Sequence, residues 1–287
     1  MSFSEEIKKE VLEVTDARCC RQAQLCGVMK SLMKQYKSGI RINIADKGVA
    51  DYIVEACKKQ FGLTPQRVSE RTLTVDKVLY VKLCDTYGYR SIPENGVVDK
   101  DCCKNAFLRG VFLGCAKIND PQKGYSLEFT FEDKKLREFV YLLLTEKGYE
   151  PKRAQRGNYY ILYYRQSESI EDILMSVGAV KGAFELMNTK IEKQVKNDIN
   201  RTNNCDVANL KKQADAALEQ LRIVKELEKN GRLALLPAEL KTVANLRLNN
   251  PDMSLTEIGK KCDPPVSKSS IQRRFVKIQE YIKEPIS

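Results

Sequence analysis

Apolar positions recur three and four residues apart over about 17–36 and again over about 101–116, the spacing of a helix with one buried face. Each stretch leads to a short segment that predicts a strand, Ile40–Ile44 in the first case and Ser126–Phe131 in the second. A second helical pattern follows at about 46–61 and at 133–147, each closed by a Gly-x-x-Pro turn. Beyond the first turn the chain predicts extended segments at Val68–Thr74 and Lys77–Leu83. Beyond the second it predicts a short piece at Lys152–Gln155, a strand at Tyr159–Arg165 and a closing helix at 168–177. The N-terminal residues, Met-Ser-Phe-Ser-Glu-Glu-Ile, read as a helix start.

From residue 188 the pattern is almost wholly helical. Segment 188–199 is amphipathic, and Asn203, Asn204 and Cys205 predict an interruption before a helix over 207–230 that ends at Asn230-Gly231. Leu236-Pro237 opens another helix, which stops at Asn249-Asn250-Pro251-Asp252. Ser254 with Glu257 forms a capping box ahead of Leu255–Cys262. Asp263-Pro264-Pro265 breaks the chain, and Ser267 caps a last helix to about Lys283. A short helix, a tight break and a second helix is the outline of a helix-turn-helix. Gly259 suits it, because close packing of the first helix on the second favours a small residue.

The two halves of residues 17–178 are related. Residues 19–29, CCRQAQLCGVM, and 102–112, CCKNAFLRGVF, share six of eleven positions at a constant offset of 83. FGLTPQR at 61–67 and KGYEPKR at 147–153 share Gly, Pro and Arg at an offset of 86. Two matched blocks in the same order imply a duplicated α/β unit packed as a pseudo-dimer. The repeated helices are the natural seam, because Ala23 and Gly27, and Ala106, Gly110 and Gly114, lie four residues apart and let two backbones approach. A glycine inside a helix costs about 1 kcal/mol, so close packing is the reason to keep it. The fold class is therefore α+β: a duplicated α/β domain with pseudo-twofold symmetry over 1–187 (repeats at about 17–84 and 101–178), followed by an all-α domain over 188–287 with the helix-turn-helix at about 254–283.

Composition narrows the chemistry. The 287 residues contain no histidine, which excludes Ser-His-Asp and Cys-His nucleophile systems, HExxH zinc sites and Cys2His2 fingers. The ten cysteines fall as two adjacent pairs, Cys19-Cys20 and Cys102-Cys103, and six singles, with no C-x-x-C. They are expected to be free buried thiols, with no metal and no cofactor. No apolar run reaches the ~18 residues of a membrane span, and no signal sequence is recognisable, so a cytoplasmic location and no membrane partner are expected.

The net charge of +11 points to a polyanionic partner. Residues 188–287 hold 19 basic and 13 acidic side chains, more than half of the excess. On the last helix Ile271, Phe275, Ile278 and Ile282 form one apolar stripe. Ser269, Arg273 and Lys277 lie opposite it, with Ser270 and Gln272 flanking. Because a recognition helix meets bases with its N-terminal part, Lys268, Ser269, Gln272 and Arg273 are the candidate base readers. Lys260, Lys261, Arg274 and Lys277 are the candidate phosphate contacts. The segment Lys152–Arg165 mixes Arg153, Arg156 and Arg165 with Tyr159, Tyr160, Tyr163 and Tyr164, a mixture that serves either base stacking or ordinary strand packing.

A duplicated α/β unit whose signature helix carries L-x-G (Leu25-x-Gly27 and Leu108-x-Gly110) resembles the LAGLIDADG homing endonucleases. In that family the two signature helices pack at the pseudo-twofold axis, and each ends in an acid that holds a catalytic divalent cation. The resemblance places those acids at Leu32 and Cys115. No carboxylate lies between Arg18 and Ala45, and the first acid after Cys115 is Asp120. Mg²⁺ chemistry needs oxygen ligands, so these are degenerate metal positions and no catalytic residue is expected. The alternative is a divalent-metal-dependent endonuclease with atypical ligands.

CCKNAFLRGVFLGCAKINDPQKGYSLEF (102–129), NRTNNCDVANLKKQADAALEQL (200–221), LPAELKTVANLRLNNPDMSLTEIG (236–259) and PPVSKSSIQRRFVKI (264–278) are similar to the WhiA family of bacterial regulators, a degenerate LAGLIDADG domain joined to a C-terminal helix-turn-helix. That resemblance implies a non-enzymatic, sequence-specific DNA-binding protein in transcriptional control, tied to cell division, chromosome segregation and sporulation. Its implied partners are double-stranded DNA and, through the N-terminal domain, another transcription or division protein. No small-molecule substrate is expected.

Overall fold

The computed structural model describes residues 2–36 and 39–283, without the side chains of residues 34–36, 39, 282 and 283. The chain divides into two compact units, Met1–Lys193 and Gln194–Ser287.

The first unit opens with α1 (Phe3–Leu12), started by a reciprocal capping box between Ser2 and Glu5. Seven elements then occur twice in the same order. The first set is α2 (Arg18–Leu32), β1 (Met33–Tyr36), β2 (Gly39–Asn43), α3 (Lys47–Phe61), β3 (Gln66–Ser69), β4 (Thr72–Val75) and α4 (Lys77–Tyr87). The second is α5 (Asp101–Cys115), β5 (Ala116–Ile118), β6 (Leu127–Phe131), α6 (Lys134–Glu146), β7 (Lys152–Arg156), β8 (Tyr159–Tyr164) and α7 (Ser167–Val177). Each set builds one antiparallel sheet, ordered β1-β2-β4-β3 and β5-β6-β8-β7. The duplication read from two short blocks thus extends over the whole repeat.

Helices α2 and α5 form the seam, and the contact between them is its own image under the offset of 83. A Cβ placed on Gly27 would overlap the carbonyl oxygen of Phe107 and lie 3.0 Å from the Val111 nitrogen. A Cβ on Gly110 would overlap the carbonyl oxygen of Gln24 and lie 2.9 Å from the Val28 nitrogen. Gln24 is the counterpart of Phe107, and Val28 of Val111, as a twofold contact requires. Gly114 faces Ser31, its own counterpart. Around this seam Ala23, Leu25, Val28, Phe107, Val111 and Phe112 are fully buried in one continuous core.

Among the buried polar side chains of this unit, an arginine and a glutamine meet at the seam. Arg109 on α5 is 8% exposed; it donates to the Val177 carbonyl at 3.1 Å and to Gln24 Oε1 at 3.3 Å, and pairs with Asp16. It joins both seam helices to the C-terminal end of α7. A buried guanidinium persists only when paired and hydrogen-bonded in this way.

Three expectations are corrected. Lys77–Leu83 is not extended but the start of α4. Its Val and Tyr residues suit a strand, yet Asp76 accepts from the Leu79 N–H at 2.7 Å as an N-cap, and Leu79, Leu83 and Tyr87 are buried one turn apart. The helical pattern at 17–36 ends at Leu32, and at each seam helix's end the chain passes straight into a strand, β1 or β5. Those two strands are short, and the apolar run of the preceding helix masks them.

The third correction lies in the C-terminal region. Asn203, Asn204 and Cys205 do not interrupt the helix: α8 runs unbroken from Val180 to Lys229. Asn and Cys are only modestly unfavourable in a helix, and residues 183–229 contain neither proline nor glycine. The second unit continues with a 3₁₀ turn (Arg232–Leu235), α9 (Ala238–Asn249), α10 (Leu255–Lys261) and α11 (Lys268–Lys283). Its core joins Ile223, Val224 and Leu227 of α8 to Leu240, Val243 and Ala244 of α9, Ile258 of α10, and Ile271, Phe275 and Ile278 of α11. The side chain of Ile282, expected to extend the α11 stripe, lies outside the described residues.

Candidate nucleic-acid interface

The second unit sets α11 on a fixed base. Helix α10 starts at the capping box predicted from sequence, with the Glu257 N–H on Ser254 Oγ at 3.3 Å and the Ser254 N–H on Glu257 Oε2 at 2.8 Å. The Val266 N–H then donates to the Gly259 carbonyl at 3.0 Å and closes the turn between the helices. A Cβ on Gly259 would run into the Val266 carbonyl oxygen, so the turn itself requires glycine there. Helix α11 begins where the Ser270 N–H donates to Ser267 Oγ at 3.3 Å.

With Ile271 and Ile278 fully buried, the opposite side of α11 is turned outward. Lys268, Ser269, Gln272, Arg273 and Lys277 are all exposed on it. The Ser269 hydroxyl lies 3.0 Å from that of Ser267 and so sits at the helix N-terminus. Lys260 and Lys261, at the end of α10, are exposed too, and Lys261 Nζ reaches Asn250 Oδ1 at 3.4 Å. Arg274 is placed differently. Its side chain is 19% exposed and bonds Glu239 Oε2 on α9 at 3.1 Å, turned from the outward face toward α9.

Arg247 is a supporting residue that sequence reasoning missed. It is 1% exposed and donates to the carbonyls of Pro251 at 3.0 Å and Met253 at 2.6 Å and to Gln220 Oε1 at 2.9 Å, with its guanidinium over the Phe275 ring. Burial lowers its pKa. It holds the loop before α10 against α8 and α11. An arginine on a surface-like helix pattern carries no signal for this role.

In the first unit, Leu32 and Cys115 are the last residues of α2 and α5, both half-buried against the core. Burial pushes the Cys115 thiol up to about 12, while the charge of the buried Lys8 acts the other way. The Lys152–Arg165 hairpin is matched internally. Arg165 pairs with Glu128 at 2.7 Å and Arg153 with Glu138 at 3.5 Å. Tyr164 is buried, with its hydroxyl on the Tyr149 carbonyl at 3.2 Å, and Arg137 and Arg165 lie over the rings of Tyr160 and Tyr163. Of the four tyrosines only Tyr159 is exposed, so the hairpin offers no row of stacking rings.

Residues 199–282 match the family model of the WhiA C-terminal HTH domain, and residues 104–196 match that of the WhiA LAGLIDADG-like domain. Over 303 residues the chain is 32% identical to the "Probable cell division protein WhiA" of Heliobacterium modesticaldum, covering 97% of this chain and 95% of that one. The chain belongs to the WhiA family. A second WhiA relative, from Clostridium acetobutylicum, is 32% identical over 311 residues, covering 99% of this chain and 98% of that one. The crystal structure of full-length DUF199/WhiA from Thermatoga maritima shares the fold across 100% of both chains, with a TM-score of 0.60 at 23% identity. The LAGLIDADG-like model reaches only the second repeat; the first is tied to it by the internal duplication. The WhiA helix-turn-helix is a DNA-binding fold, and the exposed basic face of α11 belongs to it. Among the described residues no helix is long and apolar enough to cross a membrane.

Proposed function

We propose that this WhiA-family chain is a non-enzymatic, sequence-specific DNA-binding protein that regulates transcription in the service of cell division. Chromosome segregation and sporulation are further settings for the same activity, and the cytoplasm is its place. The name of the relatives, probable cell division protein, supports the process. The outward face of α11 carries the molecular reading. It combines Lys268, Ser269, Gln272 and Arg273 near the helix N-terminus with Lys277 one turn further, on a helix whose other side is locked into the core. That order suits base readout by the first four and phosphate contact by Lys277, Lys260 and Lys261. Arg274 is the weakest of the phosphate candidates, because Glu239 already holds it.

Titration against a bound site and a scrambled duplex at several salt concentrations tests this. Arg273→Ala is expected to cost about 1–3 kcal/mol on the specific site and far less on the scrambled one. Lys277→Ala is expected to weaken both alike and flatten the salt slope by about one. Equal losses for Arg273→Ala on both duplexes refute the placement of α11.

The absence of nuclease activity is part of the proposal. The two degenerate metal positions present a leucine methyl pair and a thiol, and Lys8 adds a positive charge near the latter. A hard divalent cation needs oxygen ligands and is repelled by an ammonium. Plasmid carrying a bound site is expected to stay intact with Mg²⁺ or Mn²⁺; nicking abolished by Cys115→Ala refutes this. The first unit is then free to meet DNA or a protein partner with its duplicated surface.

A further inference from the structure

The two adjacent cysteine pairs do not remain separate. Cys19 and Cys20 on α2, and Cys102 and Cys103 on α5, bring their four Sγ atoms within 4.8 Å of one another. Within the pairs the sulfurs are 4.0 Å apart for Cys19 and Cys20 and 3.9 Å apart for Cys102 and Cys103. A tetrahedral Zn²⁺ with sulfur at ~2.3 Å has sulfur–sulfur edges of about 3.8 Å. Two edges of the cluster therefore match such a shell, and the others need to close by no more than ~1 Å. An iron–sulfur cluster spreads its thiolates over several irons with sulfide between them and needs a wider cage.

The surroundings favour a bound dication with four thiolates. The four residues are the second and third of their helices, in the first turn, where backbone N–H groups have no helical partner. Ala17 and Lys100, the cap residues, supply no side-chain cap. Both helices thus bring unpartnered donors and the positive end of a dipole to the same four sulfurs, which stabilises thiolate. A Zn²⁺ with four thiolates carries a net charge of −2. Basic residues flank each pair in sequence, Arg18 and Arg21 on one side and Lys100 and Lys104 on the other, with Asp101 beside Cys102 and Lys104 also paired with Glu146 at 2.5 Å. Cys20 and Cys103 are buried, Cys19 is half-buried and Cys102 is exposed, so an ion has a way in.

We propose that Cys19, Cys20, Cys102 and Cys103 form a tetrathiolate site for one Zn²⁺ ion that clips the N-terminal ends of the two seam helices together. The site is separate from the degenerate metal positions. Thirteen residues of helix part Cys19 from Leu32 and Cys102 from Cys115, or about 20 Å along the axis. Binding replaces thiol protons with the ion and releases them to solvent, and no electron is transferred. Because only thiolate binds the ion, metal affinity falls in acid. The sequence shows no C-x-x-C because the two halves of this site come from opposite copies of the repeat.

The full chain, reduced and stripped with a chelator, is titrated with Co²⁺ and then with Zn²⁺. The expected result is one Co²⁺ per chain with the visible bands of tetrahedral cobalt and sulfur-to-cobalt charge transfer, bleached by one equivalent of Zn²⁺. Zn²⁺ is expected to raise the unfolding temperature of the first unit, and chelator to reverse it. Cys102→Ser, at the exposed position, should melt like the metal-free chain yet lose at least about tenfold in affinity and change the cobalt spectrum; Cys19→Ser is the second variant should Cys102→Ser fold poorly. Cys205→Ser, on an exposed cysteine of α8, should bind as the parent does. Absence of the tetrahedral bands, bands unchanged in both cluster variants, iron in place of zinc in the isolated protein, or a disulfide between the pairs each overturns the proposal.

Discussion

Replacing Gly110 with alanine sets two physical effects against each other with opposite signs. Helix propensity alone predicts that the change stabilises α5 by about 1 kcal/mol. The seam predicts the reverse. The added methyl would overlap the Gln24 carbonyl oxygen and lie 2.9 Å from both the Gln24 carbonyl carbon and the Val28 nitrogen. These are backbone atoms of a packed helix, so no rotamer change relieves the clash and α2 must recede from α5. Overpacking of this kind costs about 1–3 kcal/mol, and rigid backbone on the receiving side puts the cost at the upper end. Set against the propensity gain, the net is about 2 kcal/mol of destabilisation, or a fall of roughly 4–8 °C in a unit of this size. Calorimetry of the full chain reads it as a lowered transition of the first unit with that of the second left in place. Gly27→Ala should cost about the same, since its methyl meets the Phe107 carbonyl in the mirrored contact. The double variant should cost less than the two together, because once the helices have parted the second methyl finds room. A raised melting temperature for Gly110→Ala, or strict additivity, refutes the close seam.

Arg247→Ala should unfold or loosen the second unit by roughly 3 kcal/mol, leaving two carbonyls and Gln220 without their donor; Arg247→Lys should not restore it, since one ammonium cannot serve three acceptors placed for a planar fork, and urea melts check both. Gly259→Ala should destabilise the same unit, its methyl meeting the Val266 carbonyl, and a melt equal to the parent's excludes the tight turn. Arg274→Ala should reduce DNA affinity less than Arg273→Ala does, because its guanidinium already bonds Glu239; anisotropy titration decides. The hydrogen bond from Lys190 holds Glu168 down at about 2. Its contribution to stability is therefore present above the ordinary carboxylate pKa and lost as pH falls toward 2. NMR titration should show the Glu168 pKa rising in Lys190→Ala, part of the way only because hydrogen bonds from its own backbone and from Ser167 remain, and an unmoved pKa rules the pair out.

Much of the second unit's helical framework was legible in the chain because its signals are local. Ser254 and Glu257 form their box across three residues, Ser267 caps α11 across three, and the stripe of Ile271, Phe275 and Ile278 sits within two turns. The duplication was legible too, since identity at a fixed offset is a property of the string, and it pointed to Gly27 and Gly110 as the seam. Helix α4 was not legible: Val78, Tyr80 and Val81 favour a strand, and the Asp76 cap and the pocket for Leu79, Leu83 and Tyr87 outweigh them. Nor was the length of α8, where Asn203 and Asn204 weaken a helix without ending it.

The sequence by itself determined where helices start and stop at capped ends, that the first unit is built twice, and that the basic excess concentrates in the second. Each of these depends on neighbours a few residues apart or on the string compared with itself. Only the tertiary structure decided which side chains meet across long separations: Arg109 with Asp16 and Val177, Arg247 with Gln220, and Cys19 and Cys20 with Cys102 and Cys103. The cysteine meeting is fixed by how closely two glycine-bearing helices approach and by the twofold that relates them, and the Arg247 meeting by how α9 packs on α8. A buried guanidinium or a tetrathiol cluster is then a consequence of packing, which no pattern along one strand of sequence encodes.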